Sequence, residues 1–130
     1  MKILITGSAG FIGFSFAKYL LEKNYQVIGL DNLNDYYSVK LKKDRLKELK
    51  KHNKFKFYKI DLRNNSYLQK IFAKHKFESV FHLAAQAGVR YSVEYPRNYI
   101  ESNVDGFYNI LEMVKKKKIN KFFYASSSSV

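Results

Sequence analysis

The chain has 130 residues, which is enough for one domain or for part of a larger one. Apolar residues make up 46% of it and aromatic residues 17%, so it has ample material for a hydrophobic core. It contains no cysteine, which excludes disulfides and thiolate metal sites, and its net charge of +13 makes it strongly basic.

Short apolar runs alternate with helical segments along the chain. The runs predict strands at residues 2–6, 26–30, 56–60, 79–84 and 121–126. The segments between them predict helices at residues 11–23, 39–51, 64–75 and 96–117. Strands that alternate with helices form parallel sheets with right-handed crossovers. The sequence therefore predicts an α/β fold, a Rossmann-type doubly wound parallel sheet of five strands in the order 3-2-1-4-5.

The last predicted helix has the clearest apolar periodicity, and Pro96 suits its first turn. Asn103 falls on the same predicted face, where a buried amide needs hydrogen-bond partners, either in a neighbouring strand or in a cofactor. The predicted buried face of this helix consists of Ile100, Val104, Phe107, Leu111 and Val114. For the first helix the predicted face consists of Ile12, Phe16, Tyr19 and Leu20.

Three glycines follow the first predicted strand, in the stretch TGSAGFIG. A dinucleotide pyrophosphate needs a tight turn, a backbone without side chains and a helix N-terminus at this point. We assign the turn to Gly7, the close approach to Gly10, and the packing of helix on strand to Gly13. Asp31 ends the second strand, where a carboxylate can accept both ribose hydroxyls of NAD and repel the 2′-phosphate of NADP. The pattern predicts an NAD site, and a glycine-rich turn without a ligand is the alternative.

The spacing TGxxGxxG resembles the glycine loop of the extended short-chain dehydrogenase/reductase family. Several further stretches are similar to its nucleotide-sugar epimerase branch: DNLNDYYSVKLK, FHLAAQAGVRYS, NYIESNVDGFYNIL and YASSSSV. Within that branch, DNLNDYY and AAQAGVRYS most resemble UDP-glucuronate 4-epimerases. The resemblance covers the whole chain and implies an NAD-dependent enzyme that oxidises a sugar transiently at C4 and reduces it again. Another branch, such as the UDP-galactose 4-epimerases, and a non-catalytic NAD-binding protein are the alternatives.

The resemblance also implies cofactor contacts by position. Phe11 and Ile12 would offer backbone N–H groups to the pyrophosphate, and Asn32 would support the carboxylate at the ribose. Asp61 and Leu62 would border the adenine. Small residues would form a floor under the nicotinamide half, namely Leu83, Ala84, Ala85 and Ala87.

Polar residues at the ends of the fourth and fifth strands would complete the site. The four serines match the epimerase pattern Ser-Ser-Ser-x-x-Val-Tyr-Gly, in which Ser127 is the catalytic hydroxyl. Ser126 would then contact the cofactor and Ser128 the substrate. Arg90, in a predicted loop after Gly88, would bind a substrate phosphate or carboxylate, and a surface arginine is the alternative.

The catalytic base of the family is a tyrosine in a Tyr-x-x-x-Lys pair that follows the serines. Tyr19 and Tyr36 have that spacing here but lie remote from the fifth strand, so we expect the pair beyond Val130. The resemblance thus implies that residues 1–130 are the N-terminal part of the NAD-binding domain of a longer enzyme. This part would lack the substrate-binding domain and would be inactive alone. Sugar 4,6-dehydratases carry an Asp-Glu pair at the positions of Ser128 and Ser129, so the serines favour epimerisation.

The expected partners are a UDP-sugar and, by resemblance, a second copy in a homodimer through helices including 96–117. Clustered cations between Lys40 and Lys59 could bind nucleic acid, but base readout favours arginine forks, so we expect solvated helix faces instead. Binding of NADP would need help from Lys42 and Lys43.

No apolar run reaches the roughly 18 residues that cross a bilayer, and we expect a cytoplasmic protein without a membrane partner. The histidines share no ligand spacing, so we expect no metal.

Overall fold

The computed structural model describes residues 1–129 of the chain. Parallel strands form one sheet in this range: β1 (Lys2–Thr6), β2 (Gln26–Asp31), β3 (Phe55–Lys59), β4 (Ser79–His82) and β5 (Lys121–Tyr124). Their order is β3-β2-β1-β4-β5 and all neighbouring pairs are parallel, which confirms the predicted doubly wound sheet. β4 ends at His82, before the predicted residue 84: the Leu83 N–H bonds both the carbonyl and the side chain of Thr6, and the Ala84 N–H bonds the side chain alone. β5 likewise ends two residues before the predicted residue 126.

The first three helices lie close to their predicted positions: α1 (Phe11–Glu22), α2 (Val39–Leu49) and α3 (Asn65–Lys74). Side-chain caps explain where two of them begin. Ser38 Oγ accepts a hydrogen bond from the Leu41 N–H at α2, and Asn64 Oδ1 accepts one from the Tyr67 N–H at α3. None of the helices in residues 1–129 is long and apolar enough to cross a membrane.

A short helix, α4 (Val89–Glu94), forms where we predicted a loop after Gly88. The prediction was wrong because α4 has only six residues, too few to show the periodicity of a helix, and buries none of them. The turn itself is present, since Gly88 has a φ of 99°.

The predicted helix at 96–117 is continuous in direction but not in hydrogen bonding. It consists of α5 (Pro96–Tyr99), a π-helical segment (Ile100–Asp105) and α6 (Gly106–Lys116). The wider turns of the π-helical segment shift the helical phase, so the predicted buried face is wrong at three of its five positions, Ile100, Val104 and Leu111. Ile100 and Val104 are 56% and 54% exposed, and Leu111 and Asn103 are also exposed. Val114 is buried as predicted, together with Gly106, Ile110 and Met113, which were not predicted.

The first helix packs through small residues. Gly13 and Ala17 are buried with Leu20 and Leu21, whereas Ile12 and Tyr19 of the predicted face are exposed. Small side chains allow α1 to approach the sheet closely. The sequence analysis missed this contact because it predicted the buried face from large apolar residues.

The core lies on both faces of the sheet, because successive side chains of a strand point to opposite faces. Leu4 and Leu30 belong to one cluster, with Leu68 and Ile110 of the helices. The other cluster includes Ile3, Ile5, Val27, Ala17 and Leu49. The helices thus cover both faces of the sheet and leave its carboxyl edge for a site.

Candidate functional site

The carboxyl ends of the central strands open on a cavity of about 570 Å³. Ligand sites of open α/β sheets lie at this edge, and the volume is typical of a small-molecule pocket. Many of the residues predicted to bind a cofactor line this cavity: Gly7, Gly10, Phe11, Asp31, Asn32, Asp61, Leu62, Leu83, Ala84, Ala85 and Ala87.

The glycine loop leaves almost no room for side chains. Gly7 has a φ of 72°, which favours glycine, and a Cβ there would lie 2.8 Å from the backbone nitrogen of Ala84. A Cβ on Gly13 would lie 2.0 Å from the carbonyl oxygen of Gly7, so α1 packs directly on the loop. At Gly10 the nearest atom to such a Cβ is 3.2 Å away. The turn and the packing are thus required by the chain itself, independently of any ligand.

Asp31 links the loop after β2 to the glycine loop. Its Oδ2 accepts a hydrogen bond of 3.0 Å from the Ala9 N–H, and its Oδ1 accepts one of 2.9 Å from the Leu33 N–H. A carboxylate has about four acceptor positions, so each oxygen keeps capacity for a ligand hydroxyl. The carboxylate is therefore both fixed in place and available to the cavity.

Asp61 is held at the cavity wall by Arg63. Its Oδ1 accepts hydrogen bonds from the backbone and Nε of Arg63 at 2.9 and 3.0 Å, and its Oδ2 accepts one from Nη2 at 2.8 Å. These hydrogen bonds from Arg63 hold the pKa of Asp61 below its ordinary value. Arg63 also bonds Glu101 of the π-helical segment, which connects this wall to the last helices.

The floor of the cavity is positioned by a side chain of β1. Thr6 Oγ1 accepts hydrogen bonds of 3.1 Å from the N–H groups of both Leu83 and Ala84. These use both acceptor positions of the hydroxyl, so its proton is donated to Nδ1 of His82, at 2.8 Å. His82 is then neutral, with its own proton on Nε2, and burial lowers its pKa to about 4. The sequence analysis missed both residues, although a polar residue at the end of an apolar strand was a usable signal.

The loop after β2 is bonded to the loop after β4 across the cavity wall. Lys42 Nζ donates hydrogen bonds of 2.7 Å to both the backbone oxygen and Oδ1 of Asn34. Asn34 Nδ2 in turn donates one of 3.2 Å to Oε1 of Gln86. Lys42, Asn34 and Gln86 all line the cavity, whereas Lys43 is exposed and lies outside it. Sequence reasoning missed Asn34 and Gln86, because nothing local indicates that the two loops meet.

Asn103 has a structural partner in this network. Its Oδ1 accepts a hydrogen bond of 2.8 Å from the Gln86 N–H, and its Nδ2 donates one of 3.0 Å to the Gln86 carbonyl. Asn103 does not line the cavity. Asn103 thus bonds the loop after β4, and not the neighbouring strand that the sequence analysis considered as its structural partner.

The remaining predicted site residues lie outside the cavity lining. Ser127 is exposed after the end of β5, and its Oγ accepts a hydrogen bond of 3.0 Å from the Ser129 N–H. Arg90 is exposed on α4 rather than in a loop. Outside the lining lie Ile12, Gly13, Arg90, Asn103, Ser126, Ser127 and Ser128. In residues 1–129 no group of three or more histidine, aspartate or glutamate side chains is arranged to hold a metal ion.

Comparison with known proteins gives close matches along the whole chain. Protein CapI of Staphylococcus aureus is 57% identical over 130 residues, which are 100% of this chain and 39% of that protein. The UDP-glucuronate 4-epimerase of Thermodesulfobacterium geofontis (strain OPF15) is 49% identical over 127 residues, 98% of this chain and 39% of that protein. The chain thus spans about 39% of the length of these relatives.

Solved structures agree with the sequence relatives. The crystal structure of the UDP-glucuronic acid 4-epimerase from Bacillus cereus, in complex with UDP-glucuronic acid and NAD, superposes with a TM-score of 0.86. It is 35% identical and matches 100% of this chain and 41% of that chain. These matches confirm the resemblance to nucleotide-sugar epimerases that the motifs indicated. The model of the GDP-mannose 4,6 dehydratase family matches residues 4–130, and the chain belongs to that family.

Proposed function

We propose that the chain is the cofactor-binding part of an NAD-dependent nucleotide-sugar 4-epimerase that acts on UDP-glucuronate. The observation that carries the proposal is the single cavity in which the glycine loop, Asp31 and the floor from Leu83 to Ala87 meet. The relatives named as UDP-glucuronate 4-epimerases support the reaction. The NAD and UDP-glucuronic acid in the Bacillus cereus structure support the cofactor and the substrate class.

The residues around the cavity fit a dinucleotide. Asp31 has free acceptor capacity for ribose hydroxyls, and the start of α1 at Phe11 and Ile12 offers N–H groups to a pyrophosphate. Gly7 and Gly10 line the cavity without a side chain, so a cofactor could lie close to their backbone. NAD, when bound, supplies reversible hydride acceptance from the sugar C4.

The other groups would act on the substrate. Ser127 would hydrogen-bond the C4 hydroxyl of the sugar, with Ser126 and Ser128 on either side, and orient it for proton removal. The proton would pass to the tyrosine of a Tyr-x-x-x-Lys pair that we expect beyond residue 130. Arg90 would bind a phosphate or the carboxylate of the substrate. Serines at positions 128 and 129, in place of an acidic pair, favour epimerisation over dehydration.

A non-catalytic NAD-binding protein is the second candidate. The observation that favours it is the position of Ser127, which is exposed and lies outside the cavity lining. The two candidates differ in whether a tyrosine base follows the serines in the chain.

The first experiment is to read the coding frame beyond Val130 and to express the complete protein. We expect the frame to continue through Tyr-Gly to a Tyr-x-x-x-Lys pair. Binding of NADH is then measured by nicotinamide fluorescence, and the C4 epimer of UDP-glucuronate is detected by NMR. Binding without conversion would favour the non-catalytic candidate, and a folded protein that does not bind NADH would contradict the cofactor assignment.

We also propose that the protein forms a homodimer through its helices at 96–117. Ile100, Val104 and Tyr108 follow each other at four-residue spacing and are 56%, 54% and 61% exposed. An exposed apolar stripe of this kind is typical of an interface. Light scattering should report a dimer, and Val104→Glu should produce a monomer. A monomeric wild-type protein would contradict the proposal.

A further inference from the structure

Two loops meet at the carboxyl edge of the sheet, one after β2 and one after β4. Because β1 lies between these strands, the loops begin about 10 Å apart, with the glycine loop between them. Asn34 Nδ2 nevertheless donates a hydrogen bond of 3.2 Å to Oε1 of Gln86, which joins the two loops. Gly7, Gly10, Asn34 and Gln86 all line the cavity. Part of the cavity is therefore enclosed between the glycine loop and the joined loops.

A tyrosine makes the second contact between the two loops. The centre of the Tyr36 ring lies 4.7 Å from the centre of the Tyr91 ring on α4. The Tyr36 hydroxyl reaches the backbone of the loop after β4, since a Cβ on Gly88 would overlap it. Position 88 thus requires glycine for its φ of 99° and also for the space that the tyrosine occupies. We name the contacts of Asn34 with Gln86 and of Tyr36 with Gly88 and Tyr91 the bridge.

The loop after β4 is held in place independently of the bridge. The Tyr99 hydroxyl of α5 donates a hydrogen bond of 2.7 Å to the carbonyl of Ala87. The amide of Asn103 bonds both the N–H and the carbonyl of Gln86. These anchors come from the helices at 96–117 and remain when the bridge breaks. One hydrogen bond and the contacts of one aromatic ring make up the bridge, so it can open without unfolding the sheet.

We propose that the bridge closes over the dinucleotide and keeps it bound throughout the catalytic cycle, with Asn34, Tyr36 and Gln86 as positioning residues. The inference rests on the proposed NAD site and reaction. In that reaction the sugar gives a hydride to NAD and a proton to the base, and it regains both before it leaves. The same cofactor molecule must therefore serve both halves of the reaction, and its loss between them would leave a keto-sugar that cannot be reduced. A dinucleotide that reaches both Asp31 and Ala87 occupies the space between the glycine loop and the bridge.

A bridge that must open has a kinetic signature that an ordinary cofactor contact lacks. Opening limits both entry and exit of the cofactor, so a weaker bridge should raise the association and the dissociation rate constants together. The loss of an ordinary contact raises mainly the dissociation rate constant. Measuring both rate constants thus distinguishes the two roles.

The test uses the protein expressed from its complete reading frame and follows nicotinamide fluorescence by stopped flow. Association is measured by mixing with NADH, and dissociation by displacing bound NADH with excess NAD. Tyr36→Ala removes the ring and should raise both rate constants by about tenfold. Gln86→Met removes the acceptor for Asn34 at nearly the same volume and should raise both by about fivefold. Tyr19→Ala is the matched control, since Tyr19 is an exposed tyrosine of α1 outside the cavity lining, and it should change neither.

The outcomes separate this inference from the proposed function. If the folded wild type does not bind NADH, the NAD site itself is wrong. If it binds NADH but Tyr36→Ala and Gln86→Met raise the dissociation rate constant alone, these residues are ordinary contacts and the bridge is wrong. Rates unchanged in both variants, or equal effects of Tyr36→Ala and Tyr19→Ala, would also overturn it. Circular dichroism checks each fold, and should Tyr36→Ala unfold, Gln86→Met decides by the same two rate constants.

Discussion

The hydroxyl of Thr6 on β1 lies 2.8 Å from Nδ1 of His82 on β4, and both side chains are buried. The same hydroxyl accepts the N–H groups of Leu83 and Ala84, which line the cavity. One side chain therefore joins the two central strands and fixes the backbone on which we propose that the cofactor rests. This hydrogen bonding has consequences for both stability and pH dependence.

Replacing Thr6 by valine should destabilise the fold by about 2 kcal/mol, since it leaves the Ala84 N–H and a buried imidazole nitrogen without partners, while the Leu83 N–H keeps its hydrogen bond to the Thr6 carbonyl. Thr6→Ser keeps the hydroxyl and should cost about 1 kcal/mol, the loss of one methyl group. Urea unfolding of the two variants measures the difference. Equal losses for valine and serine would show that the hydroxyl contributes nothing.

Acid should destabilise the protein through His82. Burial lowers its pKa from 6.5 to about 4, so the unfolded chain binds a proton at a pH where the folded chain does not. This contribution to stability is complete above pH 6.5 and decreases as the pH falls from 6.5 to 4, in total by about 3 kcal/mol. Burial lowers the pKa of His75 as well, which adds a change of the same sign.

The measurement is urea unfolding at pH 7.5 and pH 4.5 for the wild type and for His82→Asn. The variant should lose less stability between the two pH values, because one titrating group is removed. If the wild type and His82→Asn lost the same free energy of unfolding between pH 7.5 and pH 4.5, a neutral, buried His82 would be contradicted.

Gly13→Ala in α1 should be more damaging than Gly106→Ala in α6. Its Cβ would lie 2.0 Å from the Gly7 carbonyl oxygen, and backbone atoms on both sides have little freedom to move. We expect a loss of about 2–3 kcal/mol and weaker NADH binding, because α1 must shift away from the loop. Gly106→Ala is the control: its nearest neighbour is the Leu62 side chain at 3.3 Å, and alanine is the better helix former. Thermal unfolding measures the stability of both variants. A Gly13→Ala protein as stable as Gly106→Ala would refute the packing argument.

Ser127→Ala should lower kcat of the complete enzyme by about 100-fold without changing its affinity for NADH. The reason is that Ser127 would orient the substrate hydroxyl, while it lies outside the cavity lining. Ser129→Ala serves as the comparison, because only the backbone N–H of Ser129 bonds Ser127. Equal kcat values for the two variants would remove Ser127 from the mechanism.

The sequence by itself determined the alternation of strands and helices, the strand order, the glycine loop and the position of Asp31. These features depend on local patterns: apolar runs, spacing of glycines, and the right-handed crossover that links successive parallel strands. Gly7 and Gly13 are recognisable in the sequence because a turn and a close helix contact require glycine wherever they occur.

The tertiary structure decided which polar side chains meet. Thr6 and His82 are 76 residues apart, and Asn34 and Gln86 are 52 apart, so only the register of β1 against β4 and the meeting of two loops bring them together. The π-helical segment rotated Ile100 and Val104 outward, because one wider turn changes the phase of the whole helix. Lys42 and Lys43 are neighbours in sequence, yet the orientation of α2 places one in the cavity and the other in solvent. Such contacts depend on the relative positions of elements that are distant in the chain, and local patterns do not specify them.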